Sequence, residues 1–154
     1  MNSIQYISHD VKTENKQYVT GINCSLKTAY DEMTATKRNF GKESGILAFH
    51  AIQAFMPGEV TPEKAHEIGI ELANKLWGDR FEVIVATHTD KKHIHSHFVI
   101  NSVSFVDGKR YYDNKKTYYE FQKTSDQLCL EYGLSVITPK GKKRTLCFVV
   151  CQEK

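Results

Sequence analysis

The stretch FEVIVATHTDKKHIHSHFVINSVSF, residues 81–105, predicts two neighbouring β-strands joined by a short polar turn. Residues 81–88 are rich in β-branched side chains, and residues 95–106 form a second run of the same kind. Only six residues separate the two runs, so an antiparallel hairpin is the simplest connection between them. We therefore expect the two strands to lie side by side in one sheet.

Histidines are concentrated in this hairpin, which holds four of the seven in the chain. Side chains alternate between the two faces of a strand, so His95 and His97 are expected to point the same way, with Cα atoms about 7 Å apart. His88 ends the preceding strand and can supply a third nitrogen. Three histidine ligands with open positions are typical of a catalytic metal site, because a structural site is usually closed by a fourth protein ligand.

Other titratable residues near this cluster have two readings each. His50 and His66 are either structural residues or partners that orient a metal ligand. Glu82 has the same strand parity as His88, so it either adds a carboxylate to the site or lies on the surface. His93 shares the parity of His95 but is expected in the turn.

The remaining elements follow from local signals. Thr61, Pro62 and Gly78 delimit the clearest helix, because a hydroxyl cap, an N-terminal proline and a terminal glycine mark helix ends. The other predicted elements are a helix over 25–38 capped by Ser25 with Ala29, Met33 and Thr36 on one face, a strand over 45–56, a turn at Asp107 and Gly108, and a helix over 115–132 ending at Gly133. This order predicts an α+β fold, an antiparallel β-sheet of about five strands with helices packed on one face.

The composition is that of one soluble domain, with 154 residues, 40% of them hydrophobic and 25% charged. No apolar run approaches the roughly 20 residues that span a bilayer, and the N-terminus lacks the apolar core of a signal peptide. We therefore expect a cytoplasmic protein with no membrane contact. Its four cysteines, Cys24, Cys129, Cys147 and Cys151, contain no CxxC pair and are expected to be reduced and buried.

The histidine pattern resembles a known family. The spacing H-x-D-x-x-x-x-H-x-H-x-x-x-N falls on His88, Asp90, His95, His97 and Asn101, and it resembles the third motif of MOBP-type conjugative relaxases, which are HUH endonucleases. The segments YVTGINC (18–24), FHAIQAFMPGEVTPEKAHEIGIELA (49–73) and SDQLCLEYGLSVI (125–137) also resemble mobilisation relaxases of Gram-positive plasmids and integrative elements. The resemblance implies an HUH-endonuclease-like relaxase (nicking) domain over 1–137 and a basic C-terminal tail over 138–154.

The resemblance also implies an activity. Such a relaxase is a metal-dependent, site- and strand-specific endonuclease and transesterase that nicks DNA at an origin of transfer through a 5′-phosphotyrosyl intermediate. Tyr6 occupies the position of the family's nucleophile, and Tyr18 is the runner-up. A divalent ion would be held by His88, His95 and His97. Magnesium or manganese is expected from the family, whereas imidazole ligands also suit zinc or nickel.

Residues around this centre have implied roles as well. Asp90 would orient a histidine or help to take the tyrosine proton. Lys91, Lys92 and Asn101 would contact DNA or the phosphate shell, and His93 is a further DNA-contact candidate. Further candidates for phosphate contact or base stacking are Lys115, Lys116, Tyr111, Tyr112, Tyr118 and Tyr119, although these tyrosines could equally pack the last helix. The expected partners are single-stranded DNA at an origin of transfer and accessory relaxosome proteins.

Three other functions stay open at this point. A rolling-circle Rep-type HUH initiator shares this chemistry, but its histidine pair usually precedes its tyrosine, whereas here Tyr6 comes first. A metallohydrolase using a metal-bound water would need no tyrosine. A non-catalytic or truncated remnant would bind single-stranded DNA without cutting it. Because the family normally carries a first strand and part of a helix before its nucleophile, we expect a formed metal site with Tyr6 poorly fixed and weak or absent cleavage.

Overall fold

The computed structural model of the chain describes Ile4, residues 18–136 and the backbone of residues 151–153. The strands are β1 (Val19–Ile22), β2 (Ala48–Ala54), β3 (Val83–His88), β4 (His95–Asn101) and β5 (Cys151–Glu153), and the helices are α1 (Ala29–Asn39), α2 (Pro62–Trp77) and α3 (Lys115–Glu131). The sheet has the order β1-β3-β4-β2-β5, and every neighbouring pair is antiparallel. The predicted α+β fold is confirmed, with four strands in 18–136 and the three-residue β5 at one edge.

The predicted hairpin is the centre of this sheet. In the β3–β4 register His88 lies opposite His95, and Ala86 lies opposite His97. Strand β4 pairs with β3 on one side and with β2 on the other. The histidines of β4 therefore lie on a central strand, whose backbone is held by hydrogen bonds from both sides.

The sheet is covered on both faces, which corrects one expectation. Helices α2 and α3 bury one face, where Val85 and Phe98 pack with Ile68, Leu72 and Phe121. Helix α1 packs on the opposite face, and its buried side chains contact Val19, Ile84, Ala86 and Val99. The prediction that the helices pack on one face only was wrong. Residues of β3 that point to either face of the sheet are apolar, so each face has to be buried by a helix.

Helix ends agree with the local signals in two cases of three. The Thr61 hydroxyl accepts a hydrogen bond from the Lys64 amide at 3.3 Å, and Pro62 opens α2 as predicted. Helix α3 ends at the predicted place, since Gly133 follows it with φ +72°. Helix α1, however, begins after Thr28 instead of Ser25. Residues 25–28 form a separate turn, in which the Thr28 amide bonds to the Ser25 carbonyl at 3.1 Å.

Strand β4 is shorter than predicted because the chain turns into a second hairpin after it. Val103 pairs with Arg110 in an isolated antiparallel bridge, and the turn between them contains Gly108. Gly108 has φ +68°, and a Cβ there would lie 2.3 Å from the ring of Phe40. Glycine is therefore required twice, by the backbone conformation and by the close approach of that ring. Strand β2 is also shorter, Ala48–Ala54 instead of 45–56.

The two cysteines whose side chains are described, Cys24 and Cys129, are free thiols. Burial raises the pKa of Cys24 to about 12 and that of Cys129 to about 11, so both are protonated at neutral pH. Cys129 is buried as predicted, whereas Cys24 is half-buried, and a protonated thiol in either position is a poor nucleophile and a poor metal ligand. In the part of the chain that the structure describes, no helix combines the length and the apolar character needed to cross a membrane.

Candidate metal centre

Three histidine side chains converge at the end of the β3–β4 hairpin. Ligand nitrogens of His88, His95 and His97 all lie within 4.8 Å of one another. The ring centroid of His88 lies 4.2 Å from that of His97 and 5.1 Å from that of His95. His88 is 2% exposed, and His95 and His97 are each 6% exposed. The hairpin register produces this arrangement, because it places His88 directly opposite His95 and brings His97 to the same face two residues later.

The protonation of His95 suits a cation. Burial lowers the pKa of His95 to about 4, the contact with the His93 carbonyl opposes this shift, and electrostatic interactions with His88, His93 and Lys91 add to it. His95 is therefore neutral at pH 7 and keeps a nitrogen lone pair for a ligand bond. In their neutral form, three imidazoles are a donor set that fits manganese, zinc or nickel better than magnesium, which prefers oxygen ligands.

His50 contacts this cluster from β2. Its Nε2 lies 2.7 Å from Nδ1 of His97, so one ring donates a hydrogen bond and the other accepts it. A hydrogen bond at Nδ1 leaves Nε2 of His97 as the nitrogen available to an ion, and such contacts commonly orient metal ligands. Of its two readings from the sequence, the structure supports the role of an orienting partner for His50.

The turn between β3 and β4 carries the other residues of the motif. Asp90, Lys91 and Lys92 are exposed there, and His93 is half-buried with its ring centroid 5.4 Å from that of His95. The His93 carbonyl oxygen also lies 3.4 Å from Nδ1 of His95. The turn therefore places two lysine side chains and one exposed carboxylate beside the three histidines.

Tyr18 lies on the other face of the sheet from the three histidines. Its hydroxyl donates a 2.7 Å hydrogen bond to Glu63 Oε1 at the start of α2, and its ring lies edge-on to His66. The side chain is 4% exposed. The structure thus does not bring Tyr18 to the histidine cluster. Tyr6 lies outside the described residues, but Ile4 packs on the α1 face of the sheet, which is the face of His88, His95 and His97.

His66 belongs to a buried chain of hydroxyl contacts on the α2 face. Its Nε2 lies 2.8 Å from the hydroxyl of Thr20, and its Nδ1 lies 2.9 Å from that of Thr87. The Thr87 hydroxyl in turn lies 2.9 Å from that of Ser96, its cross-strand partner. Because the sheet separates His66 from the metal candidates, the structure supports the structural reading of this residue.

His66 should make the protein less stable in acid. Burial lowers its pKa in the folded protein to about 4, below the 6.5 of an unfolded histidine. The unfolded chain therefore takes up a proton first, and stability is lost as pH falls from 6.5 towards 4, at up to about 1.4 kcal/mol per pH unit. Urea unfolding of wild type and His66→Gln across this range should show a shallower pH dependence for the variant. Parallel curves would contradict the assignment.

Asn101 lies in a buried polar network at the far end of β4, about 20 Å along the strand from His95. Its amide oxygen accepts a 2.6 Å hydrogen bond from Lys37, and its amide nitrogen donates to Glu82 Oε2 at 3.0 Å and to the Met33 carbonyl at 3.2 Å. Asn101 is 0% exposed. The side chain thus contacts protein groups, away from any surface that DNA or a metal-bound phosphate could reach, and the same holds for Glu82, at 4%.

This network should be worth much stability. Burial lowers the pKa of Lys37 to about 8, with the Glu82 carboxylate opposing the shift, so the lysine is still mostly charged at pH 7. We expect Asn101→Ala to lower the free energy of unfolding by about 2–4 kcal/mol, because it leaves a buried charge without its hydrogen-bond partner. Urea denaturation measures the effect, with Asn39→Ala on the exposed end of α1 as the matched control, expected within about 0.5 kcal/mol of wild type.

The tyrosines near the last helix divide into two groups. Tyr111 is half-buried and packs edge-on against Phe49 and Phe81, with centroid distances of 5.0 and 5.6 Å. The exposed residues of the set are Tyr112, Tyr118, Tyr119, Lys115 and Lys116. Tyr111 therefore has the packing role that the sequence left open, whereas the other residues of the set are exposed at the surface.

Comparison with known proteins identifies a family and several relatives. A family model described as relaxase, MobA/VirD2-like, nuclease domain, matches residues 6–134. The chain is similar to Protein rlx of Staphylococcus aureus, with 47% identity over 122 residues that cover 79% of this chain and 38% of the relative. It is also similar to the group II intron-interrupted relaxase LtrB of Lactococcus lactis subsp. cremoris, with 31% identity over 88% of this chain and 31% of the relative. The chain thus spans well under half the length of these relatives, and no solved structure matches it.

Proposed function

The chain belongs to the MobA/VirD2-like relaxase family, and from this we propose that it nicks one strand of DNA at an origin of transfer. The observation that carries the proposal is the convergence of His88, His95 and His97 on one buried point beside a basic turn. We propose residues 1–137 as the nicking unit and residues 138–154 as a basic tail. A cytoplasmic setting and accessory relaxosome proteins belong to the same proposal.

We propose that the three histidines hold one divalent ion. Their burial, the neutral state of His95 and the hydrogen bond from His50 to His97 support this role. The set has no fourth protein ligand among the described residues, which is typical of catalytic sites. A divalent ion there would bind non-bridging phosphate oxygens and make the phosphorus more electrophilic.

Tyr6 is the proposed nucleophile. Its phenol oxygen attacks phosphorus, so that a tyrosyl O–P bond forms and the P–O3′ bond breaks. The phenol proton passes to a base, and the departing O3′ takes up a proton to become a free 3′-hydroxyl. The 5′-phosphotyrosyl link keeps a phosphodiester that a 3′-hydroxyl can attack later, so the strand can be rejoined. Two observations support Tyr6: Ile4 packs on the histidine face, and Tyr18 is buried on the other face.

Residues of the β3–β4 turn would complete the site. A phenol has a pKa near 10, so attack at neutral pH needs a base. The exposed carboxylate of Asp90, two residues after His88, is the proposed group for taking that proton or for orienting a histidine. Lys91 and Lys92 would contact phosphates on either side of the scissile bond, since both amino groups project from the exposed turn.

A covalent adduct tests the proposed function directly. The chain would be incubated with Mn²⁺ and single-stranded oligonucleotides that tile the DNA flanking its own gene, then run on a denaturing gel. We expect one oligonucleotide to give a weak protein–DNA band that survives denaturation, together with a shorter fragment ending in a 3′-hydroxyl. Cleavage without an adduct would indicate a metal-bound water as nucleophile. Binding without cleavage would indicate a non-catalytic DNA-binding protein.

A further inference from the structure

A second basic site lies at the opposite end of the sheet from the histidines. It is a groove of about 540 Å³ between the hairpin that follows β4, the residues before β3 and the start of α3. The residues used below are Lys42, Arg80, Lys109, Arg110, Tyr111 and Tyr112. Phe81, which also lines the groove, precedes His88 by seven residues, so the two sites lie about 23 Å apart along the strand.

The groove carries more positive than negative charge. Four cationic side chains line it, together with the acidic Glu120. The Arg80 guanidinium is paired with the Asp107 carboxylate at 3.2 Å, so the excess of positive charge rests on Lys42, Lys109 and Arg110. The Arg110 guanidinium donates hydrogen bonds to the carbonyl oxygens of Ser44 at 2.8 Å and Ile46 at 3.2 Å, and the Lys42 ammonium donates to the Gly108 carbonyl. Carbonyl oxygens hold these groups in place without cancelling their charge. Their fixed position lowers the entropy lost when an anion binds.

Aromatic rings stand beside these charges. Tyr111 is held between Phe49 and Phe81, which gives the groove a rigid wall. Its neighbour Tyr112 is 77% exposed, more than any other large hydrophobic side chain that the structure describes. Proteins that bind single-stranded nucleic acids combine cationic side chains, which contact the phosphates, with aromatic rings, on which the bases stack.

We infer that this groove binds a segment of single-stranded DNA, with phosphates on Lys109 and Arg110 and one base on Tyr112. The identity of the ligand rests on the proposed function, whereas the site is separate from the histidines. A pocket of this volume accommodates a nucleotide-sized group. In a duplex the bases are stacked on one another, so their faces are not accessible to the Tyr112 ring, and this favours a single strand as the ligand. A strand that reached from the groove to His88 would span at most about seven nucleotides, the number given by the roughly 3.4 Å rise of a stacked strand.

Fluorescence anisotropy with a labelled oligothymidylate tests the inference. A length of about twenty nucleotides reaches both sites, and EDTA removes any contribution of an ion at the histidines. We expect Tyr112→Ala to weaken binding about tenfold, and Lys109→Gln to lower the slope of log affinity against log salt by about 0.7. Both side chains are exposed, so both variants should fold normally. The matched controls are Tyr30→Ala in α1 and Lys27→Gln in the turn before it, which are both exposed and should bind like wild type.

An abasic strand of the same length separates a stacked base from simple anion binding. Tyr112→Ala should bind this strand as tightly as wild type does. Equal losses on both strands, or full competition by a polyglutamate peptide, would overturn the inference in favour of an acidic partner. The inference would also be overturned if both groove variants bound the oligonucleotide with wild-type affinity, or if the control variants lost as much affinity as the groove variants. The adduct assay would still test the proposed function in that case. A wild-type chain that bound no DNA would overturn both.

Discussion

Tyr6→Phe is expected to remove the covalent protein–DNA adduct, with the initial rate of adduct formation reduced by at least about a thousandfold. A phenylalanine keeps the ring but has no oxygen to form the bond to phosphorus. Tyr18, the other candidate, is not placed to replace it, since it is buried against α2 and hydrogen-bonded to Glu63. Adduct yield on a denaturing gel, with Mn²⁺ and the cleaved oligonucleotide, is the measurement.

Tyr18→Phe is the matched control for this experiment. It removes one hydroxyl and the 2.7 Å hydrogen bond to Glu63, which should lower the free energy of unfolding by about 1 kcal/mol. The adduct should still form at close to the wild-type rate. If the adduct instead vanishes with Tyr18→Phe and persists with Tyr6→Phe, the assignment of the nucleophile is wrong and Tyr18 takes its place.

The second large effect is expected at the metal ligands. Replacing His95 and His97 together by alanine should reduce Mn²⁺ affinity below the detection limit of calorimetry, because one imidazole of three is left. This loss should exceed the roughly 10–100-fold weakening that follows when a residue orienting a ligand is replaced. His50→Gln should show that smaller effect, since His50 contacts the cluster through Nδ1 of His97 and is not itself one of the three converging histidines.

The fold should survive the double substitution. His95 and His97 lie at one end of β4, and the apolar residues of that strand, Phe98, Val99 and Ile100, pack on the two faces of the sheet. Circular dichroism should therefore be close to that of wild type. His66→Gln serves as the control for histidine removal, because the sheet separates His66 from the cluster, and its Mn²⁺ affinity should be unchanged. Wild-type Mn²⁺ affinity in the double variant would refute the metal assignment.

Local sequence signals were sufficient for the hairpin and its histidines. The register that opposes His88 to His95 follows from strand alternation and a short connection, both of which act within residues 81–105. The start of α2 was equally local, since Thr61 and Pro62 act on the first turn of their own helix. The same reasoning predicted the wrong start for α1, because Ser25 has a side chain suited to an N-cap but lies in a turn that precedes the helix.

What the sequence by itself determined is therefore the α+β class, the central hairpin and the three convergent histidines. The tertiary structure decided which face each helix covers, that His50 supports His97, that Asn101 bonds to Lys37 and Glu82, and that Tyr18 faces away from the cluster. The hydrogen bonds among these contacts join residues that are 45 to 64 positions apart in the sequence, except for the bond between Asn101 and Glu82, which are 19 positions apart. Strand and helix periodicity describes which side of its own element a residue occupies, whereas packing between elements determines what lies opposite it.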